Sequence, residues 1–330
     1  MRRKETHEKE KELGVLGLKR FFGILCIMVT AFVLVGCGGQ QAEKQEMQKL
    51  VIGLMPDTDS IPFVIAQEKG FFKEEGVEVE LQQYKSALDR DSAMQSGNLD
   101  GAVSDMLAVA FAKSGGFDVK VTSFTDGSYR LVAGKDENVA SPKDLAGKEV
   151  AVSKNTIIEY VTDQILRREG MPEDSIAKVV VPQIPTRLEM LQNGQLAAAT
   201  MPEPMASVAI GNGCKYVTGS DELGINPGVI MFTEKAVKDK AQEIRAMYRA
   251  YRKAVKYLAD TDRSEYIDLV MEKSGFPPKA KDVLELPRYR EPGLPKESDV
   301  LDCIKWLNEK KLVKESYGYQ DIVADILKQN

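Results

Sequence analysis

The chain has 330 residues, 43% of them hydrophobic, with 45 basic and 50 acidic side chains and a net charge of −5 at pH 7. That length accommodates two lobes or one large domain, because a domain usually takes ~100–200 residues. The acidic balance excludes a nucleic-acid-binding protein of the usual kind, which needs a basic surface.

The N-terminus has the layout of an export signal. Residues 21–39 carry no charge, and Lys19 and Arg20 come just before them. A basic segment, an apolar segment and small residues at a cleavage site are typical of such signals. Because the apolar segment closes with Leu34-Val-Gly-Cys37, it resembles a bacterial lipoprotein lipobox. That resemblance implies that Cys37 is the first mature residue and carries the lipid. The alternative is a single transmembrane anchor, since a membrane-spanning helix needs ~20 apolar residues.

Removal of residues 1–36 would change the chemistry open to the mature chain. Those residues hold seven basic and four acidic side chains, which leaves 38 basic and 46 acidic. They also hold the one histidine, His7, so the mature part has no histidine for a catalytic triad, a zinc site or a general base. We therefore expect no metal and no cofactor. The polar residues 38–48 are typical of a flexible tether.

Two cysteines remain in the mature chain, Cys214 and Cys303, 89 residues apart. This separation fits no metal-ligand spacing. Two separate buried thiols and one disulfide both agree with the sequence.

From residue 50 onward, short apolar runs alternate with segments of helical spacing. The pattern predicts strands at 50–55, 77–82, 101–103 and 119–124, and helices at 61–69, 88–96 and 106–113. A strand–helix alternation of this kind favours a mostly parallel sheet with helices on both faces.

Around residues 139–147 the chain changes character, and a second α/β unit follows. The pattern predicts strands at 149–152, 178–181, 197–200 and 229–232, and helices at 157–168, 186–192 and 204–211. Further helices are predicted at 240–259, 300–310 and 319–328.

The order of these segments resembles that of a known family. The stretch AQEKGFFKEEG at residues 66–76 is similar to the first helix and turn of the SsuA/THI5-like (NMT1-like) substrate-binding proteins. Further similar stretches follow in the same order: GNLDGA at 97–102, PKDLAGK at 142–148, EMLQNGQ at 189–195 and MPEP at 201–204. Together they cover about residues 50–260.

The resemblance implies an α/β fold of the type 2 periplasmic-binding-protein class. Lobe 1 would comprise 49–139 and 229–330, including the C-terminal helices, and lobe 2 would comprise 140–228. The sheets would be mostly parallel, with a hinge and an inter-lobe cleft that binds a small solute. The protein would be a monomer and not an enzyme, anchored by lipid at the extracytoplasmic face of the membrane. It would deliver its solute to an ABC permease and a cytoplasmic ATPase.

Ligands of parallel sheets bind beyond the carboxyl ends of the strands, where helix N-termini converge. Half of the candidates below also have a structural role open to them, as helix caps (Thr58, Ser60, Ser104, Asp105, Asn155, Thr156), core (Phe63, Tyr160) or a turn (Glu203). The candidate ligand-binding residues are Pro56, Asp57, Thr58, Ser60, Phe63, Lys85, Ser86, Ser104, Asp105, Thr125 and Asp126, then Asn155, Thr156, Tyr160, Pro185, Pro202, Glu203 and Asn226.

The charges in these loops indicate the cargo. Five acidic residues, Asp57, Asp59, Asp105, Asp126 and Glu203, outnumber Lys85. A desolvated anion would need paired cations or several backbone donors, so the set favours a cargo rich in donors, such as a thiamine-type pyrimidine precursor. The rival cargo is a sulfonate, taurine or nitrate, which family members bind through helix N-termini and loop NH groups.

Two other classes of function are open to this fold, an enzyme and a surface sensor. The pyrimidine synthases of the THI5 branch need a histidine and a cysteine-rich motif that this mature chain lacks, and a chorismate-dehydratase-like lyase would be cytoplasmic. A ligand-sensing surface lipoprotein also agrees with the sequence, but the sequence favours it less than a receptor for uptake.

Overall fold

The computed structural model describes residues 48–328, so the predicted signal, the lipid site Cys37 and most of the tether lie outside the described residues. The first part of the chain alternates strands and helices as the sequence predicts. Its elements are β1 (Leu50–Leu54), α1 (Ile61–Glu68), α2 (Phe71–Glu74), β2 (Val79–Gln83), α3 (Ala87–Gln95), β3 (Gly101–Asp105), α4 (Met106–Ser114) and β4 (Val119–Phe124).

The second part contains two strands that the sequence pattern did not predict, β5 and β9. Strand β9 is half-exposed and mixes polar with apolar residues, so its hydrophobic period is weak. The elements are β5 (Tyr129–Ala133), β6 (Glu149–Val152), α5 (Ile157–Arg168), β7 (Ala177–Val180), α6 (Ile184–Gln192), β8 (Ala198–Pro202), α7 (Met205–Gly211), β9 (Lys215–Gly219) and α8 (Ser220–Leu223).

The last part returns to the first sheet and continues as helices. Its elements are β10 (Gly228–Thr233), α9 (Glu234–Asp239), α10 (Ala241–Asp260), α11 (Ile267–Lys273), α12 (Ala280–Val283), α13 (Glu297–Glu309) and α14 (Tyr319–Ile322). The helix predicted at 319–328 is wrong beyond Ile322. The backbone there is extended, and Ala324 N donates to Val121 O (2.9 Å), because the open edge of β4 takes up these hydrogen bonds.

Each of the two sheets has five strands, and four of the five run in one direction. The orders are β2-β1-β3-β10-β4 and β7-β6-β8-β5-β9. Strand β10 is antiparallel to both of its neighbours, and so is β5. Each of these two strands follows a segment that crosses from the other sheet. It therefore begins at the edge of its sheet where the other four strands end. The mostly parallel two-lobed architecture is confirmed.

The chain first crosses from one sheet to the other before residue 139, where the sequence analysis placed the boundary between the lobes. Because β5 belongs to the second sheet, the chain leaves the first sheet between Phe124 and Tyr129, ahead of the expected boundary at residue 139. Strand β10, which belongs to the first sheet, begins at Gly228. We refer to the elements around the first sheet as the first lobe and to those around the second sheet as the second lobe.

Helix α10 illustrates how the lobes are stabilised. Its apolar positions recur every three or four residues and lie buried, and it packs against α1, where Tyr251 meets Phe63 edge to face with ring centroids 5.2 Å apart. Burial of one such side chain is worth about 1.5–3 kcal/mol. Elsewhere, Cys214 and Cys303 are two separate buried thiols, not a disulfide. No helix within residues 48–328 is long and apolar enough to cross a bilayer.

Candidate functional site

A narrow cleft of about 40 Å³ lies between the carboxyl ends of the strands of the two sheets. From the first lobe it is lined by the residues that follow β1, by α3, and by the end of β3. From the second lobe it is lined by β5, by the residues after β6, by the start of α5, by α6 and by the end of β8. Five of the predicted residues line it: Asp57, Ser104, Asp105, Thr156 and Pro202.

Three helices begin at this cleft, and each is capped by a residue that the sequence predicts to bind the ligand. Ser86 Oγ accepts from Asp89 N at α3 (3.2 Å), Asp105 Oδ1 accepts from Ala108 N at α4 (2.9 Å), and Thr156 Oγ1 accepts from Ile158 N at α5 (3.2 Å). The capping role is therefore real for these residues. Since helix N-termini carry partial positive charge, the same geometry suits an anion.

The first lobe contributes a network of buried charges. Arg90 is 3% exposed, and its Nη2 lies 2.8 Å from Asp91 Oδ1 while its Nη1 donates to Val103 O (3.1 Å). Burial raises the pKa of Asp105, and the neighbouring Arg90 opposes that shift. The Arg90 guanidinium is thus matched by carboxylates of its own lobe.

Asp57 stands beside this network with a raised pKa. Burial, reinforced by the charge of Asp59, lifts the pKa of Asp57 to about 8, although hydrogen bonds from Ser60 oppose the shift. Ser60 donates to Asp57 Oδ1 from both its backbone N (3.1 Å) and its Oγ (2.9 Å). Asp57 is therefore largely protonated at neutral pH, unlike an ordinary aspartate.

The second lobe contributes Arg187, which is fully buried on α6. Its Nη1 donates to Val181 O (2.7 Å), but its Nε and Nη2 have no hydrogen-bond partner among residues 48–328. No carboxylate of the described part of the chain forms a salt bridge with it. Burial lowers the pKa of Arg187 to about 10, so the side chain still carries its charge at neutral pH.

Unpaired buried polar atoms are rare in proteins and usually have a reason. Beside Arg187, the cleft holds Ser104 Oγ, which is buried with no partner in the part of the chain that the structure describes. Arg90 Nη2 of the cleft also lacks a hydrogen bond, and so does Asn155 Oδ1, in an adjoining space of about 90 Å³ lined also by Asp105 and Thr156. Five of the ten such atoms within residues 48–328 therefore belong to residues that line these two spaces.

Another group of predicted residues holds the lobes together at the cleft floor. Asp59 Oδ1 accepts from Gly127 N (2.6 Å) and its Oδ2 accepts from Tyr129 OH (2.9 Å), at the crossing between the sheets. Thr58 N donates to Glu203 O of the second lobe (2.9 Å). The turn that contains Thr58 and Ser60 is thereby fixed to both lobes.

Glu203 has a full set of partners. Its carboxylate lies 2.7 Å from Arg130 Nε and accepts from Ser207 N (3.1 Å) and Ser207 Oγ (3.0 Å). It is buried, not a solvated turn residue. Burial raises its pKa, with Arg130 opposing the shift. This carboxylate stabilises the second lobe near the cleft.

Several predicted residues lie outside the cleft lining. Phe63 packs in the core, and Tyr160 packs edge to face against Trp306 with centroids 5.7 Å apart. Asp126 forms an ion pair with Arg290 (2.5 Å).

Of the remaining predicted residues, Pro56 is buried between two residues of the cleft lining, and Thr125 is buried with its carbonyl accepting from Asn226. Lys85 is exposed, and its carbonyl accepts from Ile184 N (3.0 Å). Pro185 is exposed at the start of α6. Contact of these residues with a solute stays a prediction.

Sequence inspection missed the two arginines of the cleft. Arg90 and Arg187 lie one turn inside their helices, whereas the topology rule predicts ligand-binding residues in the loops after strands. In sequence they are ordinary helical arginines, and no local signal marks them as buried. The charge balance inferred from the loops was therefore too acidic. No cluster of three metal-ligating side chains occurs within residues 48–328.

Comparisons with known proteins agree with the topology. The family model described as NMT1/THI5 like matches residues 57–263. A curated relative from Bacillus subtilis (strain 168), named "Putative aliphatic sulfonates-binding protein", is 21% identical over 244 residues, which are 71% of this chain and 73% of the relative.

Solved structures share the fold at lower identity. The alkanesulfonate-binding protein SsuA from Xanthomonas axonopodis pv. citri, bound to MOPS, has a TM-score of 0.72 and 15% identity, over 85% of this chain and 99% of its own. The periplasmic aliphatic sulphonate binding protein SsuA from Escherichia coli has a TM-score of 0.70 and 16% identity, over 84% and 92%. The desulfurization enzyme DSZB is also similar, with a TM-score of 0.61 and 15% identity, over 85% and 97%.

Proposed function

This chain belongs to the NMT1/THI5-like family, and from that premise we propose that it is the solute-binding component of an ABC importer. It captures a small anion of the sulfonate type in the inter-lobe cleft and delivers it to a membrane permease driven by a cytoplasmic ATPase. Two lobes joined by two crossings and in contact across a cleft suit a hinge motion that closes around a solute.

The observation that carries the choice of cargo is the state of Arg187. A buried guanidinium without a carboxylate is costly, and an anionic ligand would neutralise it. Its free Nε and Nη2 are adjacent donors, the pair that binds two oxygens of a sulfonate in bidentate fashion. The nearby N-terminus of α5 adds partial positive charge on the same side of the cleft.

A pyrimidine, which the loop charges favoured in the sequence, fits these groups less well. A neutral heterocycle would leave the Arg187 charge unmatched in a desolvated site. Proteins named for sulfonate binding are also the relatives found by both sequence and structure. Nitrate remains a rival anion, because it too presents oxygens in a plane to a guanidinium.

A binding protein is favoured over an enzyme. The sulfonate-binding relatives are named as binding proteins, whereas the desulfurization enzyme DSZB shows that this fold also supports catalysis. Residues 48–328 contain no histidine, and both of their cysteines are buried, with pKa values that burial raises. Neither the usual general base nor a reactive thiolate is therefore available in the cleft.

We place the protein at the extracytoplasmic face of the membrane as a monomer anchored by a lipid on Cys37. The support is the sequence of residues 19–37. Metabolic labelling with palmitate tests the anchor: Cys37→Ala should lose the label and the membrane attachment together. A variant that stays in the membrane without the label would indicate a transmembrane anchor instead.

Isothermal titration calorimetry with ethanesulfonate, nitrate and an aminopyrimidine tests the cargo. Ethanesulfonate should bind, and Arg187→Met should weaken it about 100-fold, on the order of 2.7 kcal/mol. The matched control is Arg252→Met, which removes a half-exposed arginine of α10 and should change little. Binding of the pyrimidine without either anion would refute the proposed cargo.

A further inference from the structure

The two lobes touch at the end of the cleft that lies farthest from the crossings between the sheets. The crossing segments join β4 to β5 and α8 to β10, and strands β4, β10, β5 and β9 occupy one side of their sheets. Strand β2 is the opposite edge of the first sheet, and β7 is the opposite edge of the second. The segments that follow β2 and β7 therefore form the mouth of the cleft, where a rotation about the crossings separates the lobes most.

Two hydrogen bonds join the lobes across this mouth. The backbone N of Ile184 donates to Lys85 O (3.0 Å), and Gln183 Nε2 donates to Asp89 Oδ2 (2.8 Å). We refer to these four residues as the mouth latch. The cleft behind them is narrow, about 40 Å³, so a solute enters only when these bonds break. Both bonds join protein to protein, so they favour the closed form whatever the cleft contains.

The mouth latch leads directly to both buried arginines of the cleft. Gln183 is the N-cap of α6, and Arg187 follows it by four residues, about one helical turn. In the same way Ser86 is the N-cap of α3, and Arg90 follows it by four residues. Because a short helix moves as one rigid element, breaking the mouth latch displaces Arg187 relative to Arg90.

We propose that the mouth latch sets the balance between the open and closed forms, and thereby the affinity for every anion that the cleft binds, an inference that rests on the proposed function. Gln183 and Asp89 lie outside the cleft lining, so they are positioning residues that act on the solute through the two arginines. The apparent affinity of a solute scales with the population of the form that binds it. The net contribution of one hydrogen bond changes that population by about two- to tenfold.

Amide hydrogen exchange on the full chain without ligand reports directly on the mouth latch. Ile184 is the first residue of α6, so its N–H has no acceptor within the helix and is protected by Lys85 O across the mouth. Its exchange rate therefore rises as the mouth opens. The amide of Leu188 lies one turn further along α6 and is protected by the helix itself, so its rate is independent of the mouth.

Gln183→Ala removes the side-chain bond of the mouth latch. Exchange at Ile184 should become about two- to tenfold faster, while exchange at Leu188 keeps its rate. In calorimetry the dissociation constant for ethanesulfonate should rise by the same factor. The matched control is Gln195→Ala, at an exposed glutamine of the second lobe, which should change neither quantity. Unchanged exchange at Ile184, a loss of affinity without faster exchange, or an equal acceleration at Leu188 would overturn the proposal.

A double-mutant cycle with Asp89→Ala isolates the contact across the mouth. When Asp89 is already alanine, Gln183→Ala should have no further effect on exchange or affinity, because its partner is gone. An equal effect of Gln183→Ala in both backgrounds would contradict the pairing. If the unchanged protein binds neither ethanesulfonate nor nitrate, the proposed function fails. Exchange at Ile184 tests the mouth latch without any ligand, so the two failures are distinguishable.

Discussion

Two groups of buried charges in this molecule are built in opposite ways. At the C-terminal end of α13, Asp163 of α5 is fully buried and pairs with Lys178 and with Lys310 (2.7 Å), and it accepts from Trp306 Nε1 (3.2 Å). In the cleft, Arg187 is equally buried but pairs with no carboxylate of the described residues. The first group is complete without a ligand, whereas the second is not.

The difference separates a structural role from the binding role proposed above for Arg187. Helix α13 packs against α4 of the first lobe, while its Trp306 and the following Lys310 contact α5 of the second lobe, so the complete group joins the lobes. Buried charge that is fully paired stabilises the fold only if it stays paired. A buried charge without a partner among residues 48–328 supports the ligand proposed for it.

The largest expected effect tests the complete group. Asp163→Ala should lower the free energy of unfolding by about 3–5 kcal/mol, because Lys178, Lys310 and Trp306 Nε1 lose their common acceptor. Urea denaturation measures the change. As a control, Asp325→Ala breaks the pair of a half-buried carboxylate with the exposed Lys328 and should change stability by under about 0.5 kcal/mol. A small loss of unfolding free energy for Asp163→Ala would show that this group does not stabilise the contact between the lobes.

The opposite sign is expected in the cleft. Arg187→Met replaces an unpaired buried charge by an apolar side chain of similar volume. The free energy of unfolding of the ligand-free protein should therefore increase by about 1–3 kcal/mol, less the cost of leaving the Val181 carbonyl without its donor. The measurement is urea denaturation without ligand. A destabilised variant would mean that Arg187 supports the fold, as Asp163 does, and the contrast between the two groups would be lost.

A third variant asks whether part of the cleft floor is purely structural. A Cβ on Gly127 would lie 1.9 Å from Asp59 Oδ2, so Gly127→Ala should displace this carboxylate and cost about 1–3 kcal/mol. Thermal unfolding gives the change. Gly115→Ala is the matched control, because its Cβ would meet atoms no nearer than 3.4 Å at a φ of −81°. Equal stability of the two variants would show that the crossing accommodates the methyl group.

The fourth prediction concerns pH, and its effect is spread over several pH units. The pKa of Asp57 is about 8 in the folded protein and near 4 in an unfolded chain, so the folded state binds the extra proton between these values. Stability from this group is present below pH 4 and is lost as pH rises toward 8, by at most about 1.4 kcal/mol per pH unit. Unfolding of the wild type and Asp57→Asn from pH 5 to pH 8 checks the sign. Parallel pH profiles for the two proteins would contradict it.

Much of the fold could be predicted from local sequence patterns. Apolar runs marked β1, β3 and β4, and the spacing of Ile244, Met247 and Tyr251 marked α10. These signals work because burial on one face imposes a period on the residues of that element. Strands β5 and β9 were missed because neighbouring strands, not their own pattern, hold them in the sheet.

The site was predicted only in part. Asp57, Ser104, Asp105, Thr156 and Pro202 line the cleft because the ends of parallel strands converge, which is a rule of topology that a sequence can apply. Phe63, Tyr160 and Asp126 follow the same rule yet have partners elsewhere. Position along the chain does not say which way a side chain points once the lobes pack.

The sequence by itself determined the family, the succession of strands and helices, and the absence of histidine beyond residue 7. Only the tertiary structure decided which charges are paired. Arg187 and Arg90 are both helical arginines, yet one lies among carboxylates and the other has none. Pairing depends on which elements meet across the lobes, and such contacts join residues far apart in sequence. The sign of the charge that the cleft lacks therefore became visible only in three dimensions.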